Sequence, residues 1–153
     1  MQRQMLKSKI HRATVTACDP DYIGSVTIDA GLMRQADLLP NEQVHVWDID
    51  NGARLVTYAL EGPEGSGQIQ LNGAAALLVS IGDKVIVASY GSYSEGDLEA
   101  YSPIVVHVDD DNRTVAVDSN PEVLLAGLEG RWIEEVPGSL GSGTDPLAGG
   151  GLR

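Results

Sequence analysis

The chain has 153 residues, 42% of them hydrophobic, and carries a formal net charge of −12 from 22 acidic and 10 basic side chains. That length suits one domain with a sizeable core, and that charge repels phosphate backbones, which argues against nucleic acid as a partner. Cys18 is the only cysteine, so no intrachain disulfide forms and a reducing cytoplasm is the expected setting. No apolar block follows the basic N-terminus, and nothing approaches the roughly 18 apolar residues of a membrane span, so neither a signal peptide nor a membrane partner is expected.

From Met5 to Thr16 the residues favour a strand, with Lys7, Lys9 and His11 on one face. Pattern alone makes this a solvated edge strand whose lysines discourage pairing. Cys18, Asp19, Pro20 and Asp21 predict a turn, and Ser25 to Ile28 resume extended structure. Gly24 and Ser25 therefore stand between turn and strand. A hydroxyl there lies beside a carbonyl that no side chain shields, and glycine reaches backbone angles that cost other residues about 1–3 kcal/mol. The dipeptide itself is unspecific, since it recurs at Gly65–Ser66, Gly91–Ser92, Gly138–Ser139 and Gly141–Ser142.

Asp29 is placed to cap a short helix with an apolar stripe of Leu32, Met33 and Ala36, broken by Pro40 and Asn41. Gln43 to Asp50 alternates, and Asn51–Gly52 predicts a type I′ hairpin turn returning through Ala53 to Leu60. On the return strand Arg54, Val56 and Tyr58 share a face while Leu55 and Thr57 point the other way; spacing alone makes this an ordinary exposed pair about Val56. Gly62 to Gly67 is a loop without the lysine of a phosphate-binding motif. Gln68 to Leu71 is a short strand, and Asn72–Gly73 leads into a helical turn at Ala74 to Leu78, where Asn72 is either a plain cap or part of a polar site. Lys84 to Tyr90 is a strand, and Pro103 to Val108 with Arg113 to Val117 predicts a hairpin. Its turn, Asp109 to Asn112, lacks the glycine and terminal glutamate of a calcium loop. A short helix is expected through Val123, Leu124 and Leu125, followed by a mobile Gly/Ser/Pro-rich tail. Many short strands, few helices and no repeat argue a small mainly-β barrel.

His11, His45 and His107 are too dispersed for a zinc site, and no Gly-x-Ser-x-Gly elbow surrounds Ser25. No metal is expected in catalysis. Four stretches carry a more specific signal: Met5 to Thr16 (MLKSKIHRATVT), Tyr22 to Asp29 (YIGSVTID), Asp48 to Tyr58 (DIDNGARLVTY) and Asn72 to Ala76 (NGAAA). In this order and spacing, from Met5 to Val117, they resemble the aspartate 1-decarboxylase family.

That resemblance implies a six-stranded double-psi β-barrel with short helices over residues 1–120, residues 121–153 lying outside it. It implies a cytoplasmic, pyruvoyl-dependent lyase that converts L-aspartate to β-alanine and CO2 for pantothenate and coenzyme A synthesis. The cofactor would come from the chain itself, as a zymogen cleaved autocatalytically between Gly24 and Ser25, Ser25 becoming a pyruvoyl group that forms a Schiff base with the substrate amine. The same resemblance assigns proton donation to Tyr58, the grip on substrate carboxylate to Arg54 assisted by Lys9, and a hydrogen bond to the Gly24 carbonyl during cleavage to Thr57, whose opposite facing then requires a twist or bulge. Asn72, Gly73, Ala74 and Ala75 match the substrate-pocket segment, and His11 and Tyr22 match without a defined role. The family also implies a homotetramer with sites between subunits and, in some lineages, a maturation factor. Cys18 to Asp21 departs from the pattern. The competing expectations are a non-catalytic barrel that only binds, or an unprocessed proenzyme.

Overall fold

The computed structural model describes residues 1–121, 125–126 and 131–132. Nine strands join in one sheet: β1 (Gln2–Thr14), β2 (Ala17–Asp19), β3 (Ser25–Asp29), β4 (Gln43–Asp48), β5 (Arg54–Gly62), β6 (Ile69–Asn72), β7 (Lys84–Ser94), β8 (Ile104–Val108) and β9 (Thr114–Asp118). Their order is β2-β6-β3-β5-β4-β7-β1-β8-β9, more strands than the six implied by resemblance. The chain is mainly β, and no helix among the described residues is long and apolar enough to cross a membrane. Asn112, in the turn between β8 and β9, donates to the Thr14 carbonyl at 2.8 Å and the Gly67 carbonyl at 2.7 Å, which ties elements from opposite ends of the strand order together.

One face of the sheet is apolar by alternation. Ile10, Val26, Ile28, Val44, Val46, Ala59, Ile69, Leu71, Val85 and Val87 are all buried there with the one α-helix among the described residues, α1 (Ala30–Gln35). Asp29 caps that helix as expected, accepting from the Gly31 N–H at 2.7 Å, and Leu32, Met33 and Ala36 enter the core. The helix ends earlier than Pro40: Asp37 takes φ +50°.

Several local expectations are corrected. β1 is no edge strand, because β7 pairs antiparallel on one side and β8 parallel on the other. The burial demanded by Ile10 and Ala13 outweighs the two lysines. Cys18 and Asp19 belong to β2, paired in parallel with β6, so the turn begins only after them. The hairpin between β4 and β5 is not type I′, since only Gly52 has positive φ, at +78°. The Asp48 carboxylate captures the N–H groups of Asp50 and Asn51, giving a longer loop that ends on a left-handed glycine. β4 pairs with β5 without a register shift, so no bulge turns Thr57 around. Val123 and Leu124 of the expected helix and nearly all of the glycine-rich tail lie outside the described residues; Leu125–Ala126 pairs antiparallel with Arg131–Trp132.

Candidate functional site

Ser25 opens β3 fully buried, unlike the other described serines that follow glycine, Ser66 and Ser92, which are exposed. Its hydroxyl donates to the Ile23 carbonyl at 2.8 Å and accepts from the Asn72 side-chain amide at 3.0 Å. The same Asn72 nitrogen donates to the Thr27 hydroxyl at 3.0 Å, so both of its protons are used. Register explains the meeting: β3 and β6 are antiparallel with Ser25 opposite Asn72 and Thr27 opposite Gln70. Asn72 thus makes no side-chain cap to the 3-10 turn Gly73–Leu77 that follows it.

Two further amides hold Asn72, and sequence reasoning missed them. Gln70 Nε2 donates to Asn72 Oδ1 at 2.8 Å, and Gln68 Nε2 donates to Gln70 Oε1 at 3.0 Å. The signal was available in Gln68-Ile69-Gln70-Leu71-Asn72, where period-two alternation puts three amides on one face and two aliphatics in the core. Behind the Gly24–Ser25 bond, Gly73 has φ +64°, and a Cβ on it would stand 2.6 Å from Gly24 Cα and 2.9 Å from Gly24 N. Backbone packs on backbone there, so only glycine fits. Gly24 itself faces open space, and Tyr22 and Ile23 beside it are exposed.

The parallel register of β3 with β5 sets Val26 level with Ala59. Carried one residue back to the start of β3, it sets Ser25 level with Tyr58 on the outer face; Thr57, the preceding residue of β5, faces the inner side with Leu55 and Ala59. Thr57 makes no hydrogen bond to Gly24. Arg54 lies exposed on the same outer face as Tyr58, its guanidinium 4.9 Å above the Trp47 ring. Gln43, paired with Tyr58, helps line a recess of ≈ 320 Å³ with Gln4, His45 and Tyr90. Ala74 is exposed and Ala75 half-buried in the turn after Asn72.

Lys9 and His11 are elsewhere. They lie on β1, which β5, β4 and β7 separate from β3 in the strand order, and no hydrogen bond or ion pair joins them to Ser25, Arg54 or Tyr58. Burial lowers the Lys9 pKa, opposed by Asp118, and its ammonium donates to the Pro121 carbonyl at 3.1 Å. His11 is buried, and among the described residues neither ring nitrogen is bonded; burial, then the charges of Lys9, His107 and Arg12, pull its pKa to about 4. Its ring stands edge-on to His107 at 5.7 Å, and His107 Nε2 meets Asp118 at 2.8 Å. Within one chain, then, Gly24, Ser25, Asn72 and Gly73 converge with Thr27 and Gln70, and Tyr58 and Arg54 share their sheet face. Residues 1–115, from β1 into β9, match the family model described as aspartate decarboxylase.

Proposed function

The chain belongs to the aspartate decarboxylase family, carboxy-lyases that act on aspartate, and from that premise we propose that it matures by cutting itself between Gly24 and Ser25 into a pyruvoyl enzyme forming β-alanine and CO2. The observation that carries this is the Ser25 hydroxyl, buried and held by Asn72 beside a Gly24 backbone that Gly73 packs against. In the maturation step the Ser25 oxygen attacks the Gly24 carbonyl carbon; the C–O bond forms, the peptide C–N bond breaks, and the hydroxyl proton ends on the freed amine. Loss of the Ser25 α-proton and cleavage of the Cβ–O bond release the Gly24 carboxylate and leave a dehydroalanine. Water then replaces its nitrogen, which departs as ammonia, leaving a ketone at residue 25. Asn72 suits the first step because a donor on the serine oxygen fixes its approach, while Thr57, the residue before Tyr58 on β5, is the group assigned to the developing oxyanion.

The site residues fit a pyruvoyl group: the small backbone of Gly73 and the amide of Asn72 border the position where it forms. A ketone there supplies the electron sink for α-decarboxylation that no encoded side chain offers. Arg54 binds a substrate carboxylate, since its planar fork donates to one bidentately and such charged contacts contribute about 1.5–3 kcal/mol. Tyr58 delivers the proton to the carbon that loses CO2. Asn72, Gly73, Ala74 and Ala75 wall the pocket through small size and backbone donors, Tyr22 flanks the cleavage point, and His11, on β1 beside Lys9, belongs to the pocket only where a neighbouring subunit brings β1 to it. Lys9 completes the carboxylate grip from a neighbouring subunit, which accounts for its distance along the sheet from Ser25 and supports a homotetramer with shared sites. A cytoplasmic role in pantothenate and coenzyme A synthesis follows from the product.

Intact mass spectrometry tests this reading. The expected result is two fragments, residues 1–24 and 25–153, with a borohydride-reducible carbonyl on the larger and no cleavage in Ser25→Ala. A single uncut chain without decarboxylase activity after prolonged incubation overturns it. One observation favours a second reading, a proenzyme dependent on a maturation factor: the hydrogen-bond partners of the Ser25 hydroxyl are an amide and a carbonyl, neither of them a base. On that reading, cleavage begins only when extract of the source cell is added.

A further inference from the structure

We propose that Asp48, Asp50 and Asp83 form a binding site for one divalent cation of calcium size, separate from the proposed catalytic pocket. Asp48 closes β4, Asp50 lies in the following loop, and Asp83 precedes β7. One carboxylate oxygen from each lies within 4.8 Å of the other two. Oxygens within that span can share one ion, and calcium suits carboxylates on a loop because it takes six to eight oxygens at about 2.3–2.6 Å in flexible geometry, whereas magnesium demands a near-ideal octahedron.

An acidic cluster alone is common; the buried oxygen of Asp48 is what points to a ligand. Asp48 is only 3% exposed, and among the described residues no N–H or hydroxyl group donates to its Oδ2, whose close polar neighbour is the Asp83 carboxyl. A buried carboxylate oxygen without a donor carries an uncompensated desolvation cost. The remaining oxygens are engaged in a way that orients the spare ones. Asp48 Oδ1 accepts from the N–H groups of Asp50 and Asn51, Asp50 Oδ2 from the Lys84 N–H at 2.6 Å, and Asp83 Oδ2 from the Ser80 N–H at 2.7 Å. Among the described residues no lysine or arginine forms an ion pair with the three; the nearest in sequence, Lys84, turns its ammonium to Asp110 and Thr14. Waters complete the coordination, and three carboxylates on a partly exposed loop fit a weak site, with Kd about 10⁻⁴–10⁻³ M. The bound ion braces the loop from which β5 sets out toward Arg54, Thr57 and Tyr58.

Burial first, and then the Asp83 carboxyl, push the Asp48 pKa up, so a proton competes for the same place. The test uses the full chain, with terbium as a luminescent calcium probe sensitised by the adjacent Trp47, and thermal melting in millimolar CaCl2. The expected result is saturable luminescence at one ion per chain, displaced by calcium better than by magnesium, with a calcium-dependent rise in Tm. Asp50→Asn and Asp83→Asn, which keep their backbone hydrogen bonds, each weaken binding at least tenfold. Both are accessible positions, so the test survives if Asp48→Asn fails to fold. Equal calcium shifts in wild type and Asp50→Asn mean general screening of the negative surface and overturn the proposal. So does a Tm that ignores calcium and rises only on acidification, which means the carboxylates share a proton.

Discussion

The Ser25 junction on β3 and β6 and the Lys9–His11 segment of β1 are both polar groups sunk in a β-sheet, yet they are satisfied in opposite ways. Around Ser25 the polar contacts run as a directed chain: Gln68 to Gln70 to Asn72, then to Ser25 and Thr27. Around His11 both ring nitrogens are without partners among the described residues, and the half-buried Lys9 ammonium has only the Pro121 carbonyl as a hydrogen-bond acceptor there. A connected network costs little to bury and specifies one geometry, whereas orphaned groups in a low dielectric are expensive. The difference teaches that the first region is satisfied within one chain, as the proposed reaction of the chain on itself requires. The second is not, and on the proposed reading a neighbouring subunit or substrate completes it.

The sharpest way to break this comparison is to separate the two regions onto different subunits. Ser25→Ala and Lys9→Gln chains, each inactive alone, are expected to regain decarboxylase activity when co-expressed, to about a quarter of the wild-type sites under random assembly around a two-fold interface. Continued inactivity of the mixed oligomer places Lys9 and Ser25 in the same chain's site or removes Lys9 from it. Next in size is Gly73→Ala. The added methyl would stand 2.6 Å from Gly24 Cα at φ +64°, so self-cleavage is expected to fall by more than tenfold, with about 1–3 kcal/mol lost in denaturant unfolding. Unchanged cleavage would show that the backbone contact is incidental.

Asn72→Ala is expected to leave the Ser25 and Thr27 hydroxyl oxygens without their donor and the Gln70 amide nitrogen without its acceptor, at a comparable cost of about 1–3 kcal/mol, and to slow cleavage more than it lowers Tm. Gln70→Leu should show a weaker form of the same split. The smallest effect concerns His11 and sharpens the contrast from the other side. Its folded pKa is pulled to about 4, below the unfolded value of about 6.5. The unfolded chain therefore binds the proton first, and the His11 contribution to stability, full above about pH 6.5, is lost as pH falls toward 4. The slope of stability against pH over that interval should be shallower in His11→Gln than in wild type, as read by urea midpoints at each pH; identical slopes would mean that His11 stays solvated.

Much was legible because the relevant physics is local. Alternation at period two announced most strands, Asp29 announced its helix, and the inner facing of Thr57 against the outer facing of Arg54 and Tyr58 follows from strand geometry that the structure repeats without a bulge. The hairpin turn failed because Asp48, outside the Asn-Gly pair, captures two loop N–H groups and changes the turn type. β1 failed as an edge because lysines report only one face of a strand, while its pairing depends on where β7 and β8 arrive from about 70 to 96 residues away.

By itself the sequence determined the mainly-β class, the family and the place of Gly24 and Ser25 between turn and strand, since each is written in contiguous residues. Only the tertiary structure decided that Asn72 reaches Ser25 rather than capping its own turn, that Gly73 is glycine because Gly24 lies against it, and that Lys9 stands apart from both. Those are matters of register between strands. Register is set by which apolar faces bury together, a property of the whole sheet and of no single stretch.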